Sequence, residues 1–249
     1  MFSVGALANI LYPPACLLCR LPVPCPARQT GAPLPDGRIF CDGCKHRMPR
    51  IDPPVCSRCG VGLRGAFDAH LLCPTCQSAP LAFDAARAPW WYAGSAQDAV
   101  RQFKYSRRWR IGQSFALEMA AAARAALPLD EVDAVLPVPL HWLKGHLKGF
   151  HPPAYLARVV ASVLNKPYLA SALRRARWTT TQTSLGWRER FRNVDRAFTA
   201  RHALVAGRSV LLIDDVLTSG ATADACARAL KSAGARRVFL LTAARTPYP

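Results

Sequence analysis

Four cysteine pairs with CxxC spacing place the strongest constraint on how this chain folds. Nine of its ten cysteines lie between residues 16 and 76, and eight of them form these pairs. Two cysteines separated by two residues sit on one tight turn and can bind the same tetrahedral ion, so two pairs complete a closed zinc site. The eight ligands are Cys16, Cys19, Cys41, Cys44, Cys56, Cys59, Cys73 and Cys76. We predict two structural Zn²⁺ sites in a small N-terminal zinc-ribbon domain, residues 1–80.

A disulfide framework is the main alternative for these cysteines. It requires a secreted chain, and residues 1–19 carry no Lys or Arg ahead of their short apolar stretch, which argues against a secretory signal. A redox role could apply to one CxxC pair but not to four. The spacing favours pairing in chain order, with a crossed arrangement as the alternative. Cys25 is predicted to be a spare ligand, and Cys226 a small core residue.

The charge of the chain implies an anionic partner. The net charge is +18; residues 1–80 contain 8 bases and 4 acids, so the other 25 bases and 11 acids place +14 in residues 81–249. Nucleic acid, a phosphorylated small molecule or an anionic membrane face would each fit. Eight thiolates around two Zn²⁺ would reduce the first part from +4 to about zero, which disfavours DNA binding there. We predict no transmembrane segment, because no apolar run approaches the ~18 residues of a spanning helix.

Residues 81–249 read as alternating strands and helices. Residues 81–92 resemble a strand, residues 96–104 a helix, and Gly234 is a helix stop. The remaining predicted strands are 133–139, 209–213 and 238–242, and the remaining helices are 112–127, 153–164 and 222–233. Continuous apolar strands between helices predict an α/β fold, with a parallel sheet flanked by helices.

Two acids and a short polar loop follow the strand at 209–213. Asp214 and Asp215 come first, and the loop residues are Thr218, Ser219, Gly220, Ala221 and Thr222. Backbone N–H groups, hydroxyls and the start of the next helix suit a phosphate, whereas the acids suit a polyol or its metal ion. The pattern therefore predicts a sugar-phosphate site at the carboxyl end of the sheet. It is neither a Walker A loop nor GxGxxG. A receiver-like metal pocket or an ordinary helix cap explains less of it.

This stretch resembles the 5-phosphoribosyl-1-pyrophosphate (PRPP) motif of type I phosphoribosyltransferases. Together with the cysteine pairs, residues 16–245 resemble the ComF family, which includes proteins of natural DNA uptake. The further matches are a basic turn at Lys104-Tyr105-Ser106-Arg107-Arg108, the segment Pro137-Val138-Pro139-Leu140, and Gln182, Leu185, Glu189, Arg190, Asn193, Ala197 and Phe198. The resemblance implies a type I phosphoribosyltransferase-like parallel sheet in residues 81–249.

The resemblance also implies roles for single residues. Asp214 and Asp215 would hold the ribose hydroxyls through Mg²⁺, and the loop from Thr218 to Thr222 would hold the 5-phosphate. The turn of Pro137, Val138 and Pro139 would lie beside the pyrophosphate, with Lys104 and Lys148 as further PRPP ligands. Residues 144–192 contain ten bases and one acid, so this basic loop is expected to cover the anion.

Two basic segments allow alternative interpretations. Residues 104–110 carry two aromatic rings among their charges, which is typical both of a phosphate or single-strand contact and of a solvated helix end. The other segment departs from the family's "RGFNQ", since Lys148 replaces Arg and loses its planar fork, and His151-Pro152 replaces two amides. This change affects turnover more than binding. We expect His141, His146 and His151 to be solvated.

Two functions are compatible with these features. In the first, implied by the resemblance, the chain is a cytoplasmic PRPP-binding accessory protein that handles single-stranded DNA with uptake-machinery proteins at the inner membrane. In the second, it is an active phosphoribosyltransferase that joins ribose 5-phosphate to a nucleobase or related acceptor and releases pyrophosphate.

Overall fold

The structure is a computed structural model of the chain. It describes residues 15–21, 39–63, 71–106, 108–140, 150–177 and 186–247, without the side chains of Trp187 and Arg188. Several residues singled out above lie outside this description, namely Cys25, Arg107, His141, His146, Lys148, Gln182 and Leu185.

Seven strands form two sheets in the part of the chain that the structure describes. They are β1 (Ala85–Arg87), β2 (Trp90–Trp91), β3 (Ala134–Pro137), β4 (Leu173–Arg175), β5 (Phe198–Ala200), β6 (Ser209–Leu217) and β7 (Arg237–Arg245). The main sheet is parallel in the order β1–β7–β6–β3, with β2 also paired to β7. Strands β4 and β5 form a separate antiparallel pair. The predicted parallel α/β sheet is confirmed.

The two central strands are apolar because both faces of the sheet are covered. Alternate residues of a strand point to opposite faces. Leu211 and Ile213 of β6 join one buried cluster, whereas Val210 and Leu212 join another. All four are completely buried. This double burial explains why the sequence reads as a continuous apolar run rather than an alternating one.

Eight helices are present among the described residues. They are α1 (Asp42–His46), α2 (Pro74–Ser78), α3 (Gly94–Ser106), α4 (Trp109–Ala126), α5 (Pro152–Val163), α6 (Trp187–Val194), α7 (His202–Val205) and α8 (Ala221–Ser232). The apolar sides of α3, α4 and α5 pack on one face of the sheet, and those of α8 and the small sheet on the other. None of these helices combines the length and apolar character needed to cross a membrane.

The small sheet and α6 stand beside α8. Phe198 of β5 and Val194 of α6 are buried in the same cluster as Ala227 of α8. Helix α6 begins where the Gly186 N–H donates to the Glu189 carboxylate at 2.8 Å, an N-terminal capping arrangement. Glu189, part of the family-like pattern in the sequence, therefore has a structural role here.

The cysteine-rich segment packs along the β1–β2 edge of the sheet. The Ala86 N–H donates to the Arg58 carbonyl at 2.6 Å, and the Trp91 N–H donates to the Pro49 carbonyl at 2.9 Å. Behind this edge, buried Arg245 of β7 donates to the Cys59 carbonyl at 2.6 Å. The segment thus supplies backbone partners to strands that would otherwise be open. The domain boundary at residue 80 stays a prediction.

The observed elements extend several of the predicted ones. The predicted helices within residues 96–127, 153–164 and 222–233 are confirmed with small changes at their ends, and Gly234 follows α8 with φ +87°. Strand β6 was expected to end at residue 213 but continues to Leu217, because β7 pairs with it as far as Arg245. Only parts of residues 81–92 are strand.

Candidate functional site

The eight predicted cysteines form two groups of four. One contains Cys16, Cys19, Cys41 and Cys44, the other Cys56, Cys59, Cys73 and Cys76, and within each group all sulfur atoms lie within 4.8 Å of one another. Pairing in chain order is therefore confirmed, and the crossed arrangement is wrong. The closest sulfurs, Cys19–Cys41 and Cys59–Cys73, are 3.6 Å apart. Four ligands about 2.3 Å from a tetrahedral Zn²⁺ would have a similar separation, whereas a disulfide bond measures about 2.05 Å.

The surroundings of both groups suit bound thiolates. The backbone N–H of Cys73 donates to the Cys56 sulfur at 3.3 Å, and the Arg47 guanidinium donates to the Cys44 sulfur at 3.4 Å. Contacts with Cys56 and Cys59, together with burial, raise the pKa of Cys76, so four thiolates need a cation to neutralise them. A divalent ion such as Zn²⁺ fits this donor set. Both groups could thus hold a metal ion.

The acid pair lies on β6 beside the end of β3. Asp214 pairs with Thr242 of β7 in the sheet register, and the Val138 N–H donates to the Ile213 carbonyl at 2.8 Å. This parallel pairing places the segment Pro137–Pro139, which we call the proline turn, next to the two carboxylates, although some 75 residues separate them in the chain. Both acids are half-buried. The Asp215 N–H donates to the Asp214 carboxylate at 2.8 Å.

Lys104 faces the acids from the last turn of α3. Its Nζ lies 2.7 Å from Oδ1 of Asp215. Burial opposes the charged ammonium, but the charges of Asp215 and Asp214 outweigh this and raise the pKa of Lys104. The basic turn at residues 104–110, for which the sequence allowed two interpretations, therefore contacts two different parts of the protein. Lys104 belongs to the acid pair, whereas the Arg108 guanidinium donates to the Leu17 carbonyl in the cysteine-rich segment.

Asp214 is the most perturbed carboxyl group described at this site. Burial and the neighbouring charge of Asp215 raise its pKa to about 7, against the opposing influence of Lys104. At neutral pH the negative charge of Asp214 is therefore costly to form beside Asp215. A cation bound by both carboxylates would stabilise the negative charge of Asp214. The Asp214 carboxylate is therefore suited to bind a positively charged ligand or to accept a hydrogen bond from a hydroxyl group.

The loop between β6 and α8 begins at Thr218, three residues after Asp215. Thr218 and Ser219 are half-buried, and the N–H of Ala221 donates to the Ser219 hydroxyl at 3.4 Å. Gly220 has φ +84°, a left-handed conformation that glycine adopts without strain. Helix α8 begins at once and has 12 residues. The positive end of its helix dipole faces this loop and favours an anion there.

A cavity of about 240 Å³ lies over the acid pair. We call it the acid cavity. Six predicted site residues line it: Lys104, Val138, Pro139, Asp214, Asp215 and Thr222. Pro137 lines a neighbouring cavity, and Ala221 lines a groove between α8 and β5. The structure therefore brings together residues from α3, the end of β3, β6 and α8.

The same cavity contains residues that the sequence pattern did not single out for it. Arg175 of β4 and Phe150 also line it. Burial lowers the pKa of Arg175, against the opposing charges of Cys226 and Asp214, so this guanidinium lies close enough to sense the acid pair. Its only sequence signal was the basic composition of residues 144–192. That segment is not one covering loop, since α5 and β4 lie within it.

His151 also differs from expectation. It is half-buried rather than solvated, and its Nε2 lies 3.0 Å from the Val138 carbonyl oxygen. Burial lowers its pKa, so the neutral ring is the favoured form at pH 7. The His-Pro replacement thus supports the proline turn next to the acids.

Comparisons with known proteins agree with this architecture. Residues 154–247 match the Phosphoribosyl transferase domain family. "DNA utilization protein YhgH" of Shigella flexneri is 31% identical over 241 residues, which cover 95% of this chain and 99% of that protein. This chain belongs to the ComF family. "Competence protein F" of Haemophilus influenzae, another relative of this ComF-family chain, is 25% identical over 211 residues, covering 83% of this chain and 90% of its own.

Among solved structures, the "allosteric regulatory enzyme of purine biosynthesis" covers 57% of this ComF-family chain and 30% of its own chain, with 20% identity and a TM-score of 0.40. The family match and the parallel sheet confirm the phosphoribosyltransferase-like fold, with cysteine clusters at the N-terminal end.

Proposed function

We propose that this protein binds PRPP at the acid cavity and acts as an accessory protein of DNA uptake that handles single-stranded DNA. The observation that carries the proposal is the half-buried pair Asp214 and Asp215 near the end of β6, just before the loop that leads into α8, with Lys104 Nζ 2.7 Å from Asp215. Acids for a polyol and a helix N-terminus for a phosphate together fit a sugar phosphate.

Each part of PRPP has a matching group in this chain. The ribose hydroxyls would be held by Asp214 and Asp215, and the 5-phosphate by the loop from Thr218 to Thr222. Lys104 and the proline turn would lie beside the pyrophosphate. The two carboxylates are hard oxygen donors that fit Mg²⁺, and one of them ionises at a cost that a cation would remove. Mg²⁺ supplies neutralising charge to the pyrophosphate when bound. Zn²⁺ in the two cysteine groups would be structural.

The DNA role is supported by the relatives and by the surface. "DNA utilization protein" and "Competence protein F" are the names of full-length or nearly full-length relatives. The side chains of Tyr105 and Trp109 are 75% and 57% exposed beside Arg108 and Arg110. Exposed aromatic rings among cations are typical of surfaces on which single-stranded bases stack. The charge of residues 81–249 has the sign needed for the phosphates.

Active phosphoribosyl transfer is a second candidate, favoured by the intact acid pair and loop. A ring nitrogen of the acceptor would bond to C1 of the ribose as the bond from C1 to the pyrophosphate oxygen breaks. Pyrophosphate would leave with the electron pair, and the proton of the nitrogen would pass to solvent. Release of pyrophosphate that requires both PRPP and a nucleobase would establish this activity.

Calorimetric titration of the zinc-loaded protein with PRPP and Mg²⁺ tests the first part of the proposal. We expect saturable binding at one site, with ribose 5-phosphate binding more weakly because it lacks the pyrophosphate. Folded protein that binds neither compound would overturn the proposed site.

The second part predicts salt-dependent binding of single-stranded DNA. We expect Trp109→Ala to weaken binding of a fluorescent oligothymidine by about tenfold, since stacking of one base is worth about 1–3 kcal/mol. Leu117→Ala is the matched control, because Leu117 is an exposed apolar residue of the same helix. The measurement is fluorescence anisotropy over a range of salt concentrations. Equal affinities for the two variants, or no dependence on salt, would contradict the prediction.

A further inference from the structure

A second cavity adjoins the acid cavity. Its volume is about 660 Å³, which lies within the range of sites for small organic ligands. It shares Pro139, Leu140 and Arg175 with the acid cavity, so a ligand in one would lie beside a ligand in the other. Strand β4 forms one wall, and the proline turn with the start of α5 forms the other. We call it the arginine cavity.

The described lining of the arginine cavity is strongly positive. Arg174, Arg175 and Arg201 are among the lining residues, and the described lining contains no Asp or Glu. Nε of Arg174 donates to the Thr199 hydroxyl at 2.9 Å, which fixes one edge of this guanidinium. Three cations with no acid among them favour an anionic ligand and oppose a cationic one. The acid cavity next to it contains two carboxylates, which suit hydroxyl groups or a metal ion, so the two cavities differ in the groups that they can bind.

The rest of the lining suits a flat apolar body. Tyr168 and Leu173 are half-buried and buried, and Ala154, Ala170 and the prolines add small apolar surfaces. The Arg158 guanidinium lies 5.9 Å from the centre of the Tyr168 ring and supports it in a cation–π arrangement. An aromatic ring on such a wall would place a carboxylate among the arginines. Their planar forks bind a carboxylate with two parallel hydrogen bonds.

We propose that the arginine cavity binds a planar aromatic or heteroaromatic carboxylate as a second ligand of this protein. This inference adds a second ligand to the proposed function. It rests on the proposed function only in taking PRPP to be the ligand of the neighbouring acid cavity. It narrows the acceptor or effector class to anionic rings, in place of neutral nucleobases. The anion site itself depends on Arg174, Arg175 and Arg201, and not on the acid pair.

Matched probes separate charge from shape. We would measure the binding of nicotinate and nicotinamide, and of benzoate and benzamide, by ligand-observed NMR titration of the zinc-loaded protein. Each pair has nearly the same shape and differs in one negative charge. We expect both carboxylates to bind at least tenfold more tightly than their amides. Equal binding of each pair, or no binding of any probe, would overturn the proposal.

Variants locate the site. Arg174→Gln and Arg201→Gln should each weaken nicotinate binding about fivefold to tenfold. Arg208→Gln is the charge-matched control, because Arg208 is exposed and immediately precedes β6, at the opposite end from Asp214. A melting curve for each variant shows that it is folded. Nicotinate binding that is insensitive to Arg174→Gln and Arg201→Gln would place the anion elsewhere and refute the assignment.

Two further comparisons distinguish this inference from the proposed function. The variant with Asp214→Asn and Asp215→Asn should keep nicotinate binding, since its arginines are unchanged. If the parent protein binds nicotinate but not PRPP, the proposed function fails and the arginine cavity stands. If PRPP displaces nicotinate competitively, the anion site belongs to the pyrophosphate of PRPP and the inference is wrong.

Discussion

Replacing both Asp214 and Asp215 by asparagine should abolish PRPP binding, with a loss of at least about 100-fold in affinity. Each carboxylate would make charged hydrogen bonds or a metal contact, and such bonds are worth about 1.5–3 kcal/mol apiece. Asparagine keeps the size of the side chain but removes the charge. The measurement is the calorimetric titration with PRPP and Mg²⁺. A double variant that binds PRPP as tightly as the parent would exclude the acid cavity as the site.

The double variant should still fold. The pH dependence of stability that Asp214 causes provides a separate check on the site. The pKa of Asp214 in the folded protein, about 7, lies above that of an ordinary carboxyl group. The folded state therefore holds this proton more tightly than the unfolded chain does. The stability it contributes is complete below about pH 4 and is lost as pH rises through 7. Asp214→Asn removes this loss, so the single variant should melt higher than the parent at pH 8 and more nearly the same at pH 5.

Asp130→Asn makes the same chemical change away from the cavity. Asp130 is exposed and precedes β3, at the opposite end of the sheet from Asp214. This variant should bind PRPP like the parent. If Asp214→Asn destabilises the protein at pH 8, the raised pKa of Asp214 is contradicted.

Removing the metal should unfold residues 1–80 selectively. Structural zinc contributes about 10–16 kcal/mol in small zinc domains, which is as much as the total stability of a typical domain. The described part of this segment has two five-residue helices and no strand of its own, so little else would hold it. After chelation we expect fast hydrogen exchange in residues 39–63 and 71–80 and continued protection in β6. Metal analysis of the untreated protein should return two equivalents of zinc.

Cysteine variants provide the matched control. Cys56→Ser should reduce the zinc content to one equivalent, because it opens the second group. Cys226→Ala removes a thiol that is buried in α8, outside both groups, and should retain two equivalents. Far less than two equivalents in the parent protein, or equal zinc content in the two variants, would refute the two-site interpretation.

The sequence predicted those features that depend on neighbours in the chain. The CxxC spacing identified both cysteine groups, because each turn holds its two ligands locally. The apolar runs identified β6 and β7, because strands buried on both faces must be continuous. The acids and the loop before α8 were found for the same reason, since they are consecutive. The predicted end of β6, residue 213, was wrong. A strand extends as far as its neighbour pairs with it, and the neighbouring residue Arg245 of β7 is distant in the sequence.

Features that depend on distant pairings could not be predicted. Arg175 and Arg201 enter their cavities because β4 pairs with β5, and nothing local in a run of basic residues indicates which ones turn inward. The contact of Arg108 with Leu17 joins residues 91 positions apart. The half-buried position of His151 depends on the Val138 carbonyl, which the parallel pairing of β3 with β6 exposes to it.

The way the cysteine-rich segment covers the β1–β2 edge links metal supply to solubility. Backbone groups of Ala86 and Trp91 bond to this segment, and an uncovered parallel edge is a template for another chain. Under zinc starvation, newly made copies would present the same bare edge to one another. The protein would then be lost to edge-to-edge assembly before its phosphoribosyltransferase-like domain unfolds, so cellular zinc availability would govern how much of it remains in solution.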